Sequence, residues 1–176
     1  MKLDALRSPR YRRFWFGSIG STGASQLYFV GLSWLVFEMT GSAAYLGLLG
    51  FSMAVPTIVA TLMGGLLADR ANRGRILLLT SILAGLCLSF LTILDLTESA
   101  QIWQVLILAA FLGLISGFDL PARIAFFPSL IESSQMMSAV ALSSILWQGT
   151  RMILPAIGGL LIALVDTWLL FFLCSI

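Results

Sequence analysis

Histidine is absent from this 176-residue chain, and only 10% of its residues are charged. Without histidine the usual ligand of zinc or haem and the usual neutral-pH proton shuttle are gone. No two carboxylates share an apolar run where they could do acid–base work. The chain is therefore read as no enzyme, with no metal and no cofactor, and with no nucleic acid as partner. Cysteine is scarce too: Cys87 and Cys174 both fall in apolar runs and read as small buried hydrophobes, not as a disulfide. Polar loops are nearly missing. The hydrophobic share is 59%, against about 45–50% in soluble domains, and mean hydropathy is +1.01. Together these exclude a water-soluble fold.

What is present is a series of long uncharged runs, several of them near the roughly 20 residues a helix needs to cross a hydrocarbon core of about 30 Å. They are continuous and rich in Leu, Gly and Ala, the pattern of bundled helices and not of alternating barrel strands. The predicted fold is an all-α membrane bundle. Its spans run Phe14–Phe37, Ala43–Ala68, Arg75–Leu94, Ile102–Leu120 and Met137–Val165, with a sixth starting at Thr167. Residues 1–13 form a basic segment ahead of the bundle at 14–176. The first run is too long for a cleaved signal and reads as a retained helix. From Thr167 to the last residue there is only about half a membrane of helix, so the sixth span is expected to be truncated and the chain to be part of something longer.

Charge sets the expected orientation. Lys2, Arg7, Arg10, Arg12 and Arg13 precede the first span, Arg70, Arg73 and Arg75 fill the second connection, and Arg123 follows the fourth span. The opposite connections hold Glu38, Asp95, Glu98 and Asp166 and no basic residue. By the positive-inside rule the N-terminus and the arginine-rich turns face the cytoplasm, in the inner membrane of the cell. Arg151 is the exception, since it lies well inside the fifth span. A cation there is expected to face a partner or a wet cavity.

Small residues mark expected packing stripes. In the second helix these are Gly47, Gly50, Ala54, Ile58, Thr61 and Gly65, and in the fourth Gly113 and Gly117. The first helix carries Ser21, Ser25 and Tyr28 along one side with Gln26 nearby, groups able to line a pathway or to bond between helices. On the fifth, Ser144, Gln148, Arg151, Pro155 and Gly158 share a face. Pro155 deletes a backbone donor and Gly158 with Gly159 thins the helix beside it. Gln26 and Gln148 are candidate cavity residues.

The stretch Gly64–Leu77, GGLLADRANRGRIL, resembles the loop signature of the major facilitator superfamily through Gly65, Leu67, Ala68, Asp69, Arg70 and Arg73. Asn72 stands where glycine is common, which is expected to weaken the turn, and the basic residue due at Gly74 comes one step later as Arg75. GTRMILPAIGGLL is similar to the antiporter signature of the superfamily's exporters through Pro155, Gly158 and Gly159, with Leu154 in place of a glycine. GFDLPAR, Gly117–Arg123, resembles the end of the fourth helix in the branch of siderophore and macrolide exporters. The resemblance implies the N-terminal six-helix half of a major-facilitator fold. It further implies a secondary transporter that exports small amphipathic molecules by alternating access, working as an antiporter with the proton as a candidate coupling ion. Gly65, Asp69, Arg70, Arg73 and Arg75 would form its gating loop and Asp119 with Arg123 a cytoplasmic latch, though Pro121 between the pair speaks against helical geometry. Arg151, Pro155, Gly158 and Gly159 would be its fifth-helix motif. Implied partners are the lipid bilayer, a small-molecule substrate and a C-terminal half or second chain. The rival expectation is a truncated, non-transporting membrane protein or half-unit.

Overall fold

The structure, a computed structural model, describes residues 8–70, 72–132 and 135–175, and of residues 66–70 the backbone alone. Six helices follow in order: α1 (Pro9–Thr40), α2 (Ala43–Arg70), α3 (Arg73–Leu96), α4 (Ile102–Phe126), α5 (Met136–Leu164) and α6 (Thr167–Ser175). A short 3-10 turn, Phe127–Leu130, follows α4. The expected all-α architecture is found.

Local chemistry explains where the helices begin and end. Ser8 caps α1 by accepting from the Tyr11 N–H at 3.5 Å, and Pro9 follows it, pre-set for a first helical turn. The helix therefore starts five residues before Phe14 and takes in Arg10, Arg12 and Arg13. At its other end Gly41 adopts a left-handed φ of 59°, and its N–H closes on the Phe37 carbonyl at 2.7 Å. Asn72 corrects the expectation of a weakened turn: its Oδ1 accepts from the N–H groups of Gly74 (3.1 Å) and Arg75 (3.3 Å), capping α3 as glycine cannot. Gln104 accepts from the Gln101 N–H at 2.9 Å and closes the start of α4.

Four of these helices, among the described residues, are long and apolar enough to cross a membrane: those over Ala43–Gly65, Arg73–Leu96, Ile102–Leu130 and Met136–Leu164. The sequence suggested five. The exception is α1, which at 32 residues is long enough but carries Ser18, Ser21, Thr22, Ser25 and Gln26 through its middle. The outer surface is apolar, with Phe51, Ile58, Leu62, Leu78 and Leu86 each between 61% and 72% exposed, a face suited to hydrocarbon.

The principal contacts are α2 on α4, α1 on α5, α3 on α4, and α6 on both α3 and α1. Exchanging α1 with α4, α2 with α5 and α3 with α6 turns the α1–α5 seam into the α4–α2 seam and the α1–α6 seam into the α4–α3 seam. That is the pattern of an inverted three-helix repeat. The large core cluster, built on Leu32, Leu88, Leu91, Val105, Leu112 and Phe171, lies toward the end that carries Glu38, Asp95 and Asp166. A small cluster of Tyr11, Ala139 and Leu142 sits at the basic end.

The face α2 presents to α4 differs from the expected one. Leu49, Met53, Thr57, Ala60 and Gly64 make it, whereas Gly47, Gly50, Ala54 and Ile58 are exposed. A side chain at Gly47, Gly50 or Gly65 would meet nothing within 4 Å. Gly113 and Gly117 do pack as expected: the Gly113 Cβ position overlaps the Met53 carbonyl, and the Gly117 one lies 2.6 Å from the Thr57 carbonyl oxygen. Thr57 Oγ1 donates to the Gly113 carbonyl at 2.9 Å across the same seam.

Candidate functional site

At the basic end, polar side chains tie four helices together. The sequence reading ended the fourth helix before Pro121, yet α4 continues through it to Phe126. Proline lacks the N–H that would bond the Gly117 carbonyl, and that carbonyl faces the small Gly64 of α2, 3.1 Å from where a Cβ would stand. Helical geometry thus persists between Asp119 and Arg123, and the two pair across one turn. Arg123 Nε donates to Asp119 Oδ2 at 3.0 Å and Nη2 approaches the same oxygen at 2.9 Å. The pair reaches two neighbours. Arg123 Nη1 donates to Ser18 Oγ of α1 at 3.0 Å, and Thr80 Oγ1 of α3 donates to Asp119 Oδ1 at 2.9 Å. With side chains 16% and 24% exposed, guanidinium and carboxylate are sheltered and hold charge-assisted bonds.

Arg73 adds a second tie. Its Nη1 donates to the Ala125 carbonyl at 2.8 Å, placing a cation on the negative C-terminal end of α4. Ser8 Oγ donates to the Leu130 carbonyl at 3.2 Å and Tyr11 Oη to the Ala139 carbonyl at 3.3 Å, so the start of α1 is bound to the turn and to α5. Arg75 is exposed, and the side chains of Asp69 and Arg70 lie outside the described residues.

The seam between α1 and α5 is closed at one end and open at the other. Gly158 is buried, its Cβ position 3.2 Å from Leu27 Cδ2 of α1, and Leu154 fills the space over Gly23. Gly159 is exposed, with nothing within 4 Å of its Cβ position, and Pro155 is half-buried within the continuous α5. Toward the basic end the helices part around two cavities. The first, of about 280 Å³, is lined by Ser25, Gln26, Tyr28 and Phe29 of α1, Met53 of α2, and Trp147 and Arg151 of α5. The second, of about 530 Å³, lies between α1, α4 and α5; Phe14, Trp15, Phe127 and Met136 form much of its wall and Arg123, Ser144 and Gln148 its polar part. Trp147 borders both. Gln26 and Arg151 thus share one cavity, while Gln148 lines the other beside Arg123.

Ser18, Thr80 and Trp147 are site residues that sequence reasoning missed. Mid-helix Ser and Thr recur throughout this chain, usually bonding back to their own helix, as Ser25 does to the Ser21 carbonyl at 2.8 Å. Only the packing of α1 and α3 on α4 selects the two that meet the ion pair. Trp147 stands one turn before Arg151, and its helical spacing was the signal available.

A major-facilitator family model described as a transmembrane secretion effector matches residues 2–176. The staphyloferrin A transporter of Staphylococcus aureus is 31% identical over 76% of this chain and 34% of its own length. The multidrug efflux pump Tap of Mycolicibacterium fortuitum is 26% identical over 84% of this chain and 37% of its own length. Macrolide efflux protein A of Streptococcus pyogenes is 25% identical over 86% of this chain and 38% of its own length. The chain thus spans about a third of the length of these relatives. No solved structure matches it.

Proposed function

The chain belongs to the transmembrane secretion effector family of the major facilitator superfamily, and on that premise we propose that it acts as the N-terminal half of a secondary exporter of small amphipathic molecules. The membership makes it a multi-pass integral membrane protein. The observation that carries the functional reading is the α1–α5 seam, which opens around Gln26 and Arg151 midway along the helices while the α2–α4 seam is tightly packed. A substrate entering there would sit against a second, facing bundle, and rocking of the two would alternate access.

In this reading the basic end is cytoplasmic, supported by the segregation of Arg and Lys to one end. The Asp119–Arg123 pair, with Ser18, Thr80 and the Arg73–Ala125 bond, clamps α1, α3 and α4 so that the half moves as one body. Gly65, Asp69, Arg70 and Arg75 stand at the same end, available to the second half as gate contacts. Pro155 and Gly159 give α5 an irregular outer face toward the same partner.

Two measurements test this. Cells expressing the native gene product should accumulate less of an exported dye or antibiotic than cells lacking it; equal accumulation across a broad amphipathic panel would reject the exporter. A reporter active only outside the cytoplasm should work when fused at Ser99 and stay silent at Gly74, and the opposite result would invert the bundle.

A further inference from the structure

Arg151 is a mid-helix cation without a counter-charge among the described residues. It follows Met136, the first residue of α5, by 15 positions and precedes Leu164, the last, by 13, leaving about 20 Å of helix on either side at 1.5 Å per residue. Among the described residues it makes no hydrogen bond and no ion pair. The cavity it borders has no carboxylate among its described lining residues. Of the acidic residues whose side chains are described, Asp119 is committed to Arg123, Glu38, Asp95, Glu98 and Asp166 lie at the far end and Glu132 lies in the connection after α4, while Asp4 and the Asp69 side chain lie outside the described residues. Arg151 is exposed to that cavity, and a guanidinium midway along a membrane-spanning helix seeks an anion, which the described residues do not supply.

We propose that the α1–α5 cavity is an anion site that takes the carboxylate of an amphipathic, singly charged substrate, with Arg151 as its specificity-determining residue. The inference rests on the exporter reading and names the substrate class of that site. A carboxylate matches the planar fork of one guanidinium through two parallel bonds. The Gln26 amide borders the same space and can donate to a remaining lone pair, while the Ser25 hydroxyl beside it is committed to the Ser21 carbonyl. Trp147, Phe29 and Tyr28 offer aromatic surface for the apolar body. A doubly charged phosphate is a poorer fit, since one arginine leaves half its charge unmatched. Cations are repelled, there being no acid among the described lining residues to receive them. A volume of about 280 Å³ suits a carboxylate with one or two fused rings, the remainder of a larger substrate extending beyond it.

The test uses the native gene product in phosphatidylcholine nanodiscs, with radiolabelled naphthylacetate as probe and its methyl ester as the uncharged control. The acid should bind at least tenfold more tightly than the ester. Arg151→Gln should bring the acid down to the level of the ester, and Arg151→Lys should retain part of the difference. Equal binding of acid and ester by the unmutated protein, or no binding of the acid, overturns the proposal without recourse to any variant. So does an Arg151→Gln protein that keeps the preference, or one that no longer folds while Arg151→Lys folds but loses it, the result expected if Arg151 instead pairs with a carboxylate elsewhere in the gene product. Repeating the measurement in phosphatidylglycerol discs separates sources of the anion: unchanged binding supports a small-molecule site, and competition by the lipid assigns the guanidinium to a headgroup and overturns it. Dye efflux with no preference for acid over ester would leave the exporter standing and remove the anion site; the preference without any efflux would do the reverse.

Discussion

The α2–α4 and α1–α5 seams occupy equivalent places in the two three-helix repeats, yet one is sealed and the other is split. Along α2–α4 the backbones touch, because glycine stands at the points of closest approach: Gly64 on one side, Gly113 and Gly117 on the other. Along α1–α5 Gly23 and Gly158 meet only side-chain tips, Leu154 Cδ1 and Leu27 Cδ2, and beyond them Trp147 and Arg151 border a gap. Residue size is the whole difference. In a bilayer, where apolar side chains gain nothing by leaving lipid for one another, close van der Waals packing of small residues is a main source of helix adhesion. Replacing small residues by large ones on one of two related seams therefore creates a cavity without disturbing the other. The sealed seam is the scaffold and the split one the proposed site.

The sharpest break in that comparison is a single methyl on the sealed side. An alanine at Gly117 would put its Cβ 2.5 Å from the Ala60 Cβ and 2.6 Å from the Thr57 carbonyl oxygen, with the Thr61 nitrogen at 3.0 Å. None of these can swing aside, two being backbone atoms, so α2 and α4 must separate. Gly117→Ala is expected to cost about 2–3 kcal/mol and to lower the melting temperature in detergent visibly. A variant as stable as the parent would mean that the seam is looser than described.

Next in size is the ion pair that ties both seams to the basic end. Asp119→Asn leaves the sheltered Arg123 with Ser18 as its remaining neighbour and loses the charged acceptor of Thr80. The expected cost is about 1–3 kcal/mol, most of it from the unpaired guanidinium. Removing both partners in Asp119→Asn/Arg123→Gln should recover part of the loss. A double-mutant cycle with no coupling would show that each residue acts alone.

How much of this was readable from the chain follows the same division. Gly113 and Gly117 announced a close approach, and the arginine distribution announced two unlike ends, since water and lipid discriminate charge strongly. The packing face of α2 was misread by one residue in register, Gly50, Ala54, Ile58, Thr61 and Gly65 being chosen with Gly47 where Leu49, Met53, Thr57, Ala60 and Gly64 make the contact. Lipid explains the error. In water the apolar stripe of a helix points inward, but here both faces are apolar and periodicity has no direction to give. Pro121 misled for a related reason: in water a proline would usually end the helix, whereas here its freed carbonyl is set against a glycine of the neighbouring helix. Arg151 was legible as an anomaly because it costs so much in lipid, and it does line a cavity with Gln26. Ser18 and Thr80 were illegible, since nothing local separates a hydroxyl that meets an ion pair from one that bonds its own helix.

The smallest expected effect is the most discriminating, because it applies the same substitution to the split seam. An alanine at Gly158 would place its Cβ 3.2 Å from Leu27 Cδ2, 3.5 Å from Leu170 Cδ1 and 3.6 Å from Val30 Cγ1. Every one of these atoms is the tip of a side chain that can shift by a few tenths of an ångström, and the cavities beyond leave room for α1 and α5 to adjust. Against that small strain stands the gain of about 0.5–1 kcal/mol from replacing a mid-helix glycine. Gly158→Ala should therefore leave stability within about 0.5 kcal/mol of the parent, where Gly117→Ala loses several times as much. If the two variants melted alike, glycine would play one role in both seams, and the argument that only the α1–α5 side was left adaptable for a ligand would fail with it.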